Sequence, residues 1–299
     1  MKILLFGKGG QVGWELQRSL APLGELVALG TDSQDLCGDF TDPDGIVKTV
    51  RAVAPDIIVN AAAYTAVDKA ESEPDLSRTI NALAPGLLAE EAQRSGAWLV
   101  HYSTDYVFDG SGDKPWLETD PVAPLSVYGK TKLEGEAAIR ATDCRHLIFR
   151  TSWVYAARGA NFAKTMLRLA GEKDQLTVIN DQIGAPTGAD LLADITAHAL
   201  RVALPRPEVS GLYHLAAGGH TSWHNYAGFV IEHARQAGSK IKVAPEAIQP
   251  VPTSAFPLPA PRPKNSRLDT GKLRNTFELN LPHWQSGMAR MLTEILEKQ

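Results

Sequence analysis

The sequence predicts an α/β protein built on a doubly wound parallel sheet. Short apolar segments alternate with longer ones in which apolar residues recur at helical spacing, the pattern of successive βαβ units. The predicted strands are almost continuously apolar, as expected for a sheet that helices cover on both faces. A glycine-rich turn follows the first strand directly. Together these three observations indicate a Rossmann-type fold.

The first half of the chain supplies five strands and four helices. The strands are predicted at Ile3–Phe6, Leu26–Leu29, Asp56–Asn60, Trp98–Tyr102 and His146–Phe149. The helices are predicted at Val12–Leu20, Ile46–Val53, Ser77–Ser95 and Val127–Ile139. Pro85 should kink the third of these helices, because proline has no backbone N–H to donate.

The alternation loosens beyond about Trp153. Further helices are predicted at Phe162–Ala170, Leu191–Val202, Ser222–Gln236 and Trp284–Leu296. We therefore expect a dinucleotide-binding domain over residues 1–155 and a smaller α/β substrate domain over 156–299, with some segments of the second returning to the first. Six prolines between Pro250 and Pro263 predict an extended surface loop or linker; a lip over a substrate pocket is the alternative.

Composition limits the function classes. Lys and Arg total 30 against 34 Asp and Glu, and this net charge of −4 argues against a nucleic-acid-binding face. Two cysteines, Cys37 and Cys144, cannot form a disulfide framework, which suits a reducing compartment. No apolar run approaches the ~20 residues of a membrane span, and no signal peptide precedes the first strand. A cytoplasmic protein without a membrane partner is the expectation.

Gly7, Gly10 and Gly13 lie three residues apart between the first strand and the first helix. Gly7 would permit a tight turn, Gly10 would let the backbone approach a pyrophosphate, and Gly13 would let helix and strand pack closely. The pyrophosphate would then bind the free N–H groups at the helix N-terminus. The turn therefore predicts a dinucleotide site.

The choice between NADH and NADPH stays open at this point. Asp32 lies about 20 residues after the turn, where an acidic residue binds the adenosine ribose of NAD. No Arg is present to receive a 2′-phosphate, although Thr31 and Ser33 could contact one. Asp39 and Phe40 could bracket the adenine, or Asp39 could simply belong to a helix-entry turn.

Tyr128 and Lys132 form a Tyr-x-x-x-Lys pair at the start of a predicted helix, one turn apart on the same face. A nearby ammonium should lower the phenol pKa from its usual ~10, which makes Tyr128 a candidate general acid for a carbonyl oxygen. Thr104 ends the fourth strand, where it could hydrogen-bond the same carbonyl. Alternatively Ser103, Thr104 and Asp105 only cap a turn.

These motifs, in this order, resemble the extended short-chain dehydrogenase/reductase family along essentially the whole chain. The most specific stretches are Asn60–Glu71, Ser103–Gly110, Tyr128–Glu136, Arg150–Tyr155 and Asp181–Thr187. The finer resemblance is to reductases of nucleotide 4-keto-sugars in dTDP-rhamnose and O-antigen biosynthesis. It implies hydride transfer from NADPH or NADH to C4 of dTDP-4-dehydro-β-L-rhamnose, with residues 156–299 mainly binding the nucleotide sugar. Lys8, between Gly7 and Gly9, is a position where the family varies.

The resemblance also implies roles for individual residues. Tyr128 would donate the proton, Lys132 would lower its pKa and hold the nicotinamide ribose, and Thr104 would bind the carbonyl. The other implied cofactor contacts are Gly10, Gln11, Val12, Ala62, Ala63 and Thr65. The implied sugar contacts are Asp105, Trp153 and Gln182. Mg²⁺ accompanies some members, although no ligand motif is visible here; a homodimer is expected.

Three alternatives remain. A dehydratase of the same superfamily would need an acidic residue in a Thr-Asp-Glu run, but Tyr106 occupies the third position. A sugar 4-epimerase or a related 4-ketoreductase would use the same Tyr and Lys. A non-catalytic dinucleotide-binding regulatory subunit would usually have lost one of the two. His220 and His224 are four residues apart without a third ligand, which favours surface or pocket-rim histidines over a metal site.

Overall fold

The computed structural model describes residues 1–297. Its strands are β1 Lys2–Phe6, β2 Glu25–Leu29, β3 Ile57–Asn60, β4 Trp98–Thr104, β5 Arg145–Thr151, β6 Val154–Tyr155, β7 Leu176–Ile179, β8 Ile183–Gly184, β9 Thr187–Gly188, β10 Gly211–His214, β11 Thr221–Ser222 and β12 Ile248–Val251. Its α-helices are α1 Gln11–Leu20, α2 Pro43–Val53, α3 Val67–Ala70, α4 Pro74–Arg78, α5 Ala84–Ser95, α6 Val127–Arg140, α7 Phe162–Glu172, α8 Ala189–Ala203, α9 Trp223–Gln236, α10 Gly271–Phe277 and α11 Trp284–Leu296.

Six parallel strands form the central sheet in the order β10-β5-β4-β3-β1-β2. The order reverses between β1 and β3, which is where a doubly wound sheet opens a crevice for ligands. The predicted Rossmann-type fold is confirmed, and each predicted strand is present to within two residues at either end. The sequence analysis missed β10, which pairs with β5 from far along the chain.

Helices bury both faces of this sheet. One face packs on α1, α8 and α10 through side chains such as Leu16, Leu192 and Phe277. The other face packs on α2, α5 and α6 through Ile46, Leu88 and Ile139. A third core, formed by α7, α9 and α11, lies wholly in the C-terminal half of the chain. Residues beyond 156 therefore contribute both to the first sheet and to a core of their own.

The predicted helix Ser77–Ser95 is interrupted. The chain forms α4, then a π-helical segment over Thr79–Leu83, then α5 with Pro85 in its first turn. Proline cannot donate a backbone hydrogen bond, and the wider π turn accommodates the lost bond before the α-helix resumes. Asn81 lies in this π-helical segment. Its side chain accepts from the N–H of Tyr64 and donates to the carbonyl of Tyr64.

The proline-rich segment ties the two halves together. Its beginning is β12, which pairs in parallel with β7. Near its end, Arg262 forms an ion pair of 2.7 Å with Asp68 in α3, in the first half of the chain. The backbone N–H of Ile183 donates to the carbonyl of Lys264. The segment is thus bonded at both ends and does not behave as a free linker.

Among residues 1–297, no helix is long and apolar enough to cross a membrane.

Candidate active site

A cavity of about 390 Å³ lies at the carboxyl ends of β1, β3, β4 and β5. Ten of the residues singled out from the sequence line it: Gly10, Gln11, Val12, Ala63, Thr65, Thr104, Asp105, Tyr128, Lys132 and Trp153. A larger cavity of about 760 Å³ lies among α7, the segment after α9, and α11, but none of the predicted site residues lines it. The concentration of reactive groups identifies the smaller cavity as the candidate active site.

The glycine turn forms one end of this cavity. Gly7 has φ +87°, and a Cβ on it would come within 2.7 Å of the backbone of Ala61. A Cβ on Gly13 would overlap the carbonyl of Gly7. Helix α1 begins at Gln11 without any side-chain cap and without an acidic residue in its first turn. Its first N–H groups are therefore open to an anion, and these residues fit a pyrophosphate.

Tyr128 and Thr104 form the reactive end of the cavity. Helix α6 is capped by Ser126, whose hydroxyl accepts from the N–H of Gly129, and this cap sets the direction of Tyr128. Burial raises the pKa of Tyr128 to about 12; a hydrogen bond with Thr104 opposes this shift and the charge of Asp105 adds to it. The expected lowering of the Tyr128 pKa by Lys132 is therefore wrong for this structure, because burial dominates.

Lys132 is 1% exposed and points at strand β4. Its Nζ donates to the carbonyl oxygen of Tyr102 at 2.6 Å and lies 3.3 Å from Nε2 of His101. Burial lowers the pKa of Lys132 to about 8, and the charge of Glu136 opposes the shift. The ammonium is thus held by a strand carbonyl at the floor of the cavity.

The protonation of His101 follows from its neighbours. Oδ1 of Asn60 accepts from the N–H of Ala62 at 3.0 Å, so the Nδ2 group of Asn60 must face His101. That Nδ2 lies 3.0 Å from Nδ1 of His101, which must accept. Burial holds the pKa of His101 well below its usual range. The imidazole is consequently neutral and carries its proton on Nε2. This N–H and the ammonium of Lys132 are then two donors 3.3 Å apart, and they form no hydrogen bond until Lys132 loses a proton.

Asp105 is an unusual carboxylate. It is 2% exposed, and among the described residues its Oδ2 has no hydrogen-bond partner. Burial raises the pKa of Asp105 to about 6, against hydrogen bonds from Ser266 and Thr104. Asp105 lines the cavity, but this oxygen is fully enclosed, so a ligand hydroxyl could donate to it only after the side chain had turned toward the cavity.

A buried ion pair supports the floor. Arg150 on β5 reaches Glu136 on α6 at 2.6 Å, and both side chains are almost fully buried. Ser103, next to Thr104 on β4, donates to the same carboxylate at 2.5 Å. Glu136 follows Lys132 by one helical turn, so the pair couples the strand carrying Thr104 to the helix carrying Tyr128 and Lys132.

Some predicted residues lie outside the cavity wall. Gly7 and Gly13 belong to the glycine turn but do not line the cavity, and neither does Ala62. Phe40 is buried against Phe6 in the core, and Asp39 accepts hydrogen bonds from Thr41.

Gln182 lies behind Trp153 and is already hydrogen-bonded at both ends. Its Oε1 accepts from Trp223, and its Nε2 donates to Thr253. Trp153 stacks on Trp223 at 3.6 Å and has φ +49°, a left-handed backbone that is rare for a bulky residue.

The sequence analysis assigned no role to Asn60, His101, Glu136 or Arg150. For Asn60, His101 and Arg150 the sequence did contain a signal. Each is a polar residue in a nearly continuous apolar strand, where a polar side chain is costly to bury without a partner. No group of three His, Cys, Asp or Glu side chains suited to a metal ion occurs within residues 1–297. The structure thus gives no support to the Mg²⁺ expectation.

Comparison with known proteins agrees with this architecture. The family model described as RmlD substrate binding domain matches residues 1–297. The chain belongs to this family.

Several of the relatives are named dTDP-4-dehydrorhamnose reductase. The chain is 63% identical over 295 residues to the one from Salmonella typhimurium, which covers 99% of this chain and 98% of the relative. A crystal structure of such a reductase from Clostridium acetobutylicum superposes with a TM-score of 0.87 at 35% identity, over 99% of both chains. Another, from Bacillus anthracis in complex with NADP, gives 0.86 at 33% identity, over 98% of this chain and 99% of that one.

Proposed function

We propose that this protein reduces the C4 keto group of dTDP-4-dehydro-β-L-rhamnose to give dTDP-L-rhamnose, with NADPH or NADH as reductant. The observation that carries the proposal is that one cavity joins the glycine turn to Thr104, Tyr128 and Lys132. The names of relatives at 60% identity and above support the choice of substrate. The NADP complex of the B. anthracis relative supports the choice of coenzyme.

The coenzyme would be held by residues of the first sheet. The N–H groups of Gln11 and Val12 would bind its pyrophosphate, and the backbone of Gly10, whose own N–H donates to the carbonyl of Gly7, would line it. Ala62, Ala63 and Thr65 would lie along the coenzyme. Asp39 and Phe40 would lie near the adenine. They would contact it through their backbone groups or through the Asp39 side chain. Lys132 would hold the nicotinamide ribose. When bound, the reduced coenzyme supplies the hydride for C4.

The proton would come from Tyr128. Because burial keeps the pKa of this phenol at about 12, Tyr128 carries its proton at neutral pH and can donate it to the C4 oxygen as negative charge develops there. The hydroxyl of Thr104, which donates to Oδ1 of Asp105 in this structure, would turn its single proton to the same oxygen and stabilise it. The ammonium of Lys132, bound to the nicotinamide ribose, would then stabilise the negative charge on Tyr128 after the phenol has given up its proton.

The sugar would be oriented by the opposite wall. The unpartnered Oδ2 of Asp105, which is enclosed in this structure, would accept from a sugar hydroxyl after the side chain had turned toward the cavity, and Trp153 offers an apolar ring to the sugar face. Gln182 would act on the sugar only after releasing one of its present partners. In this proposal residues 1–155 mainly bind the dinucleotide and residues 156–299 mainly bind the nucleotide sugar.

The assembly and setting of the enzyme complete the proposal. We expect a homodimer in the cytoplasm whose product supplies rhamnose for a surface polysaccharide such as an O-antigen. The slight net negative charge of −4 supports a small-molecule substrate over nucleic acid.

A coenzyme-consumption assay tests the proposed reaction. Loss of reduced-nicotinamide absorbance would be followed with NADPH and with NADH against a panel of nucleotide 4-keto-6-deoxysugars. We expect the highest kcat/KM with dTDP-4-dehydro-β-L-rhamnose and one equivalent of coenzyme oxidised for each sugar reduced. Sugar conversion without net oxidation would instead identify a 4-epimerase. Coenzyme binding without turnover on any sugar would identify a regulatory subunit.

A further inference from the structure

Two buried polar side chains of the central sheet, Asn60 and His101, lie beside Lys132 and have no part in the proposed reaction. They stand directly opposite each other on the neighbouring strands β3 and β4, and each is 1% exposed. Leu99, two residues before His101 on the same face of β4, packs in the apolar core. An apolar residue at position 101 would serve packing as well, so packing does not explain a buried imidazole.

The hydrogen bonds of Asn60 leave His101 one arrangement. Oδ1 of Asn60 accepts from the N–H of Ala62, and Nδ2 of Asn60 therefore lies against Nδ1 of His101, both at 3.0 Å. Because Nδ2 can only donate, Nδ1 must accept, and the single proton of the neutral imidazole is on Nε2. His101 thus satisfies the amide of Asn60 with one nitrogen and directs an N–H toward Lys132 with the other.

The ammonium of Lys132 has three N–H groups. One donates to the carbonyl of Tyr102 at 2.6 Å. A second, if it pointed at His101, would meet the Nε2 proton at a nitrogen–nitrogen distance of 3.3 Å instead of a lone pair. Two N–H groups are therefore left to point toward the cavity, which Lys132 lines. A ribose ring presents two neighbouring hydroxyls, so its acceptors match these two donors in number.

The charged and titratable groups on the elements around Lys132 are otherwise engaged. Glu136, one turn later on α6, accepts from Arg150 of β5 at 2.6 and 2.9 Å. Tyr128, one turn earlier on α6, keeps its proton because burial raises its pKa to about 12. Asp105, after the end of β4, acts through its charge on Tyr128. The imidazole on β4, in contrast, would accept from the ammonium if its proton moved to Nδ1.

We infer that Asn60 and His101 are positioning residues that keep two N–H groups of Lys132 free for the nicotinamide ribose. Asn60 determines which nitrogen of His101 carries the proton, and the protonated Nε2 cannot accept from the ammonium. Neither residue lines the cavity, so both act through Lys132. The inference rests on the proposed function, in which Lys132 binds this ribose.

Asn60→Asp tests the inference, because it changes the hydrogen bonding of this side chain and keeps its shape. The carboxylate still accepts from the N–H of Ala62, but it also accepts from His101, so the imidazole proton should move to Nδ1 and Nε2 should accept from Lys132. Nitrogen-15 spectra of labelled histidine, recorded without coenzyme, should show this move. Calorimetric titration of the full chain should give a Kd for NADPH about 10- to 100-fold higher, the effect of one lost hydrogen bond to a charged group. The pKa of Lys132, which burial lowers to about 8, should rise.

Three further variants separate the position of the proton from the added charge. Asn60→Ala adds no charge but lets the imidazole proton move, so the Kd for NADPH should rise by a smaller factor, about 2- to 10-fold. His101→Phe keeps a ring without nitrogens and should leave that Kd within about threefold; in this background Asn60→Asp should raise the Kd no further. Asn225→Asp adds the same charge at an exposed position and should change neither the Kd nor the tautomer.

Several outcomes would overturn the inference. One is a higher Kd in Asn60→Asp with the proton still on Nε2; another is an unchanged Kd with the proton on Nδ1. An equal rise of the Kd in His101→Phe would show that the two residues only support the strands. Should Asn60→Asp fail to fold, Asn60→Ala carries the same test, and an unchanged Kd there would overturn the inference. If the unaltered folded protein bound neither NADPH nor NADH, the proposed function itself would fail.

Discussion

Nε2 of His101 faces Nζ of Lys132 at 3.3 Å, and Asn60 and Ala62 on the neighbouring strand determine which imidazole nitrogen carries the proton. A ring donor therefore points at the amine of the residue expected to serve the coenzyme. Glu136, paired with Arg150, contributes the opposing negative charge from the same helix as Lys132. Burial nevertheless outweighs Glu136 and lowers the pKa of Lys132 to about 8, closer to neutrality than that of an exposed lysine.

Nitrogen-15 spectra of labelled histidine should reveal this arrangement. We expect His101 to remain neutral with Nε2 protonated across neutral pH, and its Nε2 shift to follow the titration of Lys132 with a midpoint at pH about 8. Lys132→Met should keep the tautomer and abolish that titration. A protonated Nδ1 would contradict the assignment.

Removal of the Tyr128 hydroxyl should separate chemistry from binding. Tyr128→Phe should lower kcat by roughly 100- to 10,000-fold, because the general acid is lost, while the Kd for NADPH stays nearly constant. Tyr64→Phe is the matched control: its hydroxyl bonds Glu73 at 2.6 Å, away from the cavity. Unchanged turnover in Tyr128→Phe would remove this residue from the role of acid.

Thr104→Val should remove one aimed hydroxyl with little change in volume. The expected loss in kcat is roughly 10- to 1000-fold, the range for deleting one preorganised donor to a developing oxyanion. Steady-state kinetics with saturating coenzyme would measure it. A loss of less than about threefold would assign Thr104 only a structural role.

The burial of Asp105 should appear as a pH-dependent stability cost. Its pKa in the folded protein is raised to about 6, so its contribution to stability is present at low pH and is lost as pH rises through that value. Urea unfolding should show this loss, more than about 1 kcal/mol between about pH 5 and about pH 8.

Asp105→Asn should remove this pH dependence, stabilise the protein at about pH 8 and impair turnover. The exposed Asp113→Asn should leave the stability difference in place. Equal pH dependence in both variants would show that another group titrates.

The Glu136–Arg150 pair should be essential to the floor of the site. Glu136→Gln should lower the free energy of unfolding by about 3–5 kcal/mol, because it leaves the Arg150 charge buried and unpaired. Glu134→Gln, on the same helix, breaks an exposed pair with Arg78 and should cost less than about 1 kcal/mol. Denaturant unfolding compares the two, and similar losses would contradict the proposed importance of the buried pair.

Much of the fold could be predicted because its signals are local. Strands β1 to β5, the main helical periodicities and the glycine turn occur within windows of a few residues, and these were found. Strand β10 could not be found in this way. It is four residues long, lies about 60 residues after β5, and is recognisable as part of the sheet only through its pairing with that strand.

The amino-acid sequence alone determined the doubly wound architecture, the turn Gly7–Gly13 and the one-turn spacing of Tyr128 and Lys132, since periodicity and spacing are properties of neighbouring residues. Only the tertiary structure decided the protonation of the site. The high pKa of Tyr128, the neutral ring of His101 and the raised pKa of Asp105 arise from burial by distant segments, and desolvation depends on everything that surrounds a group in space.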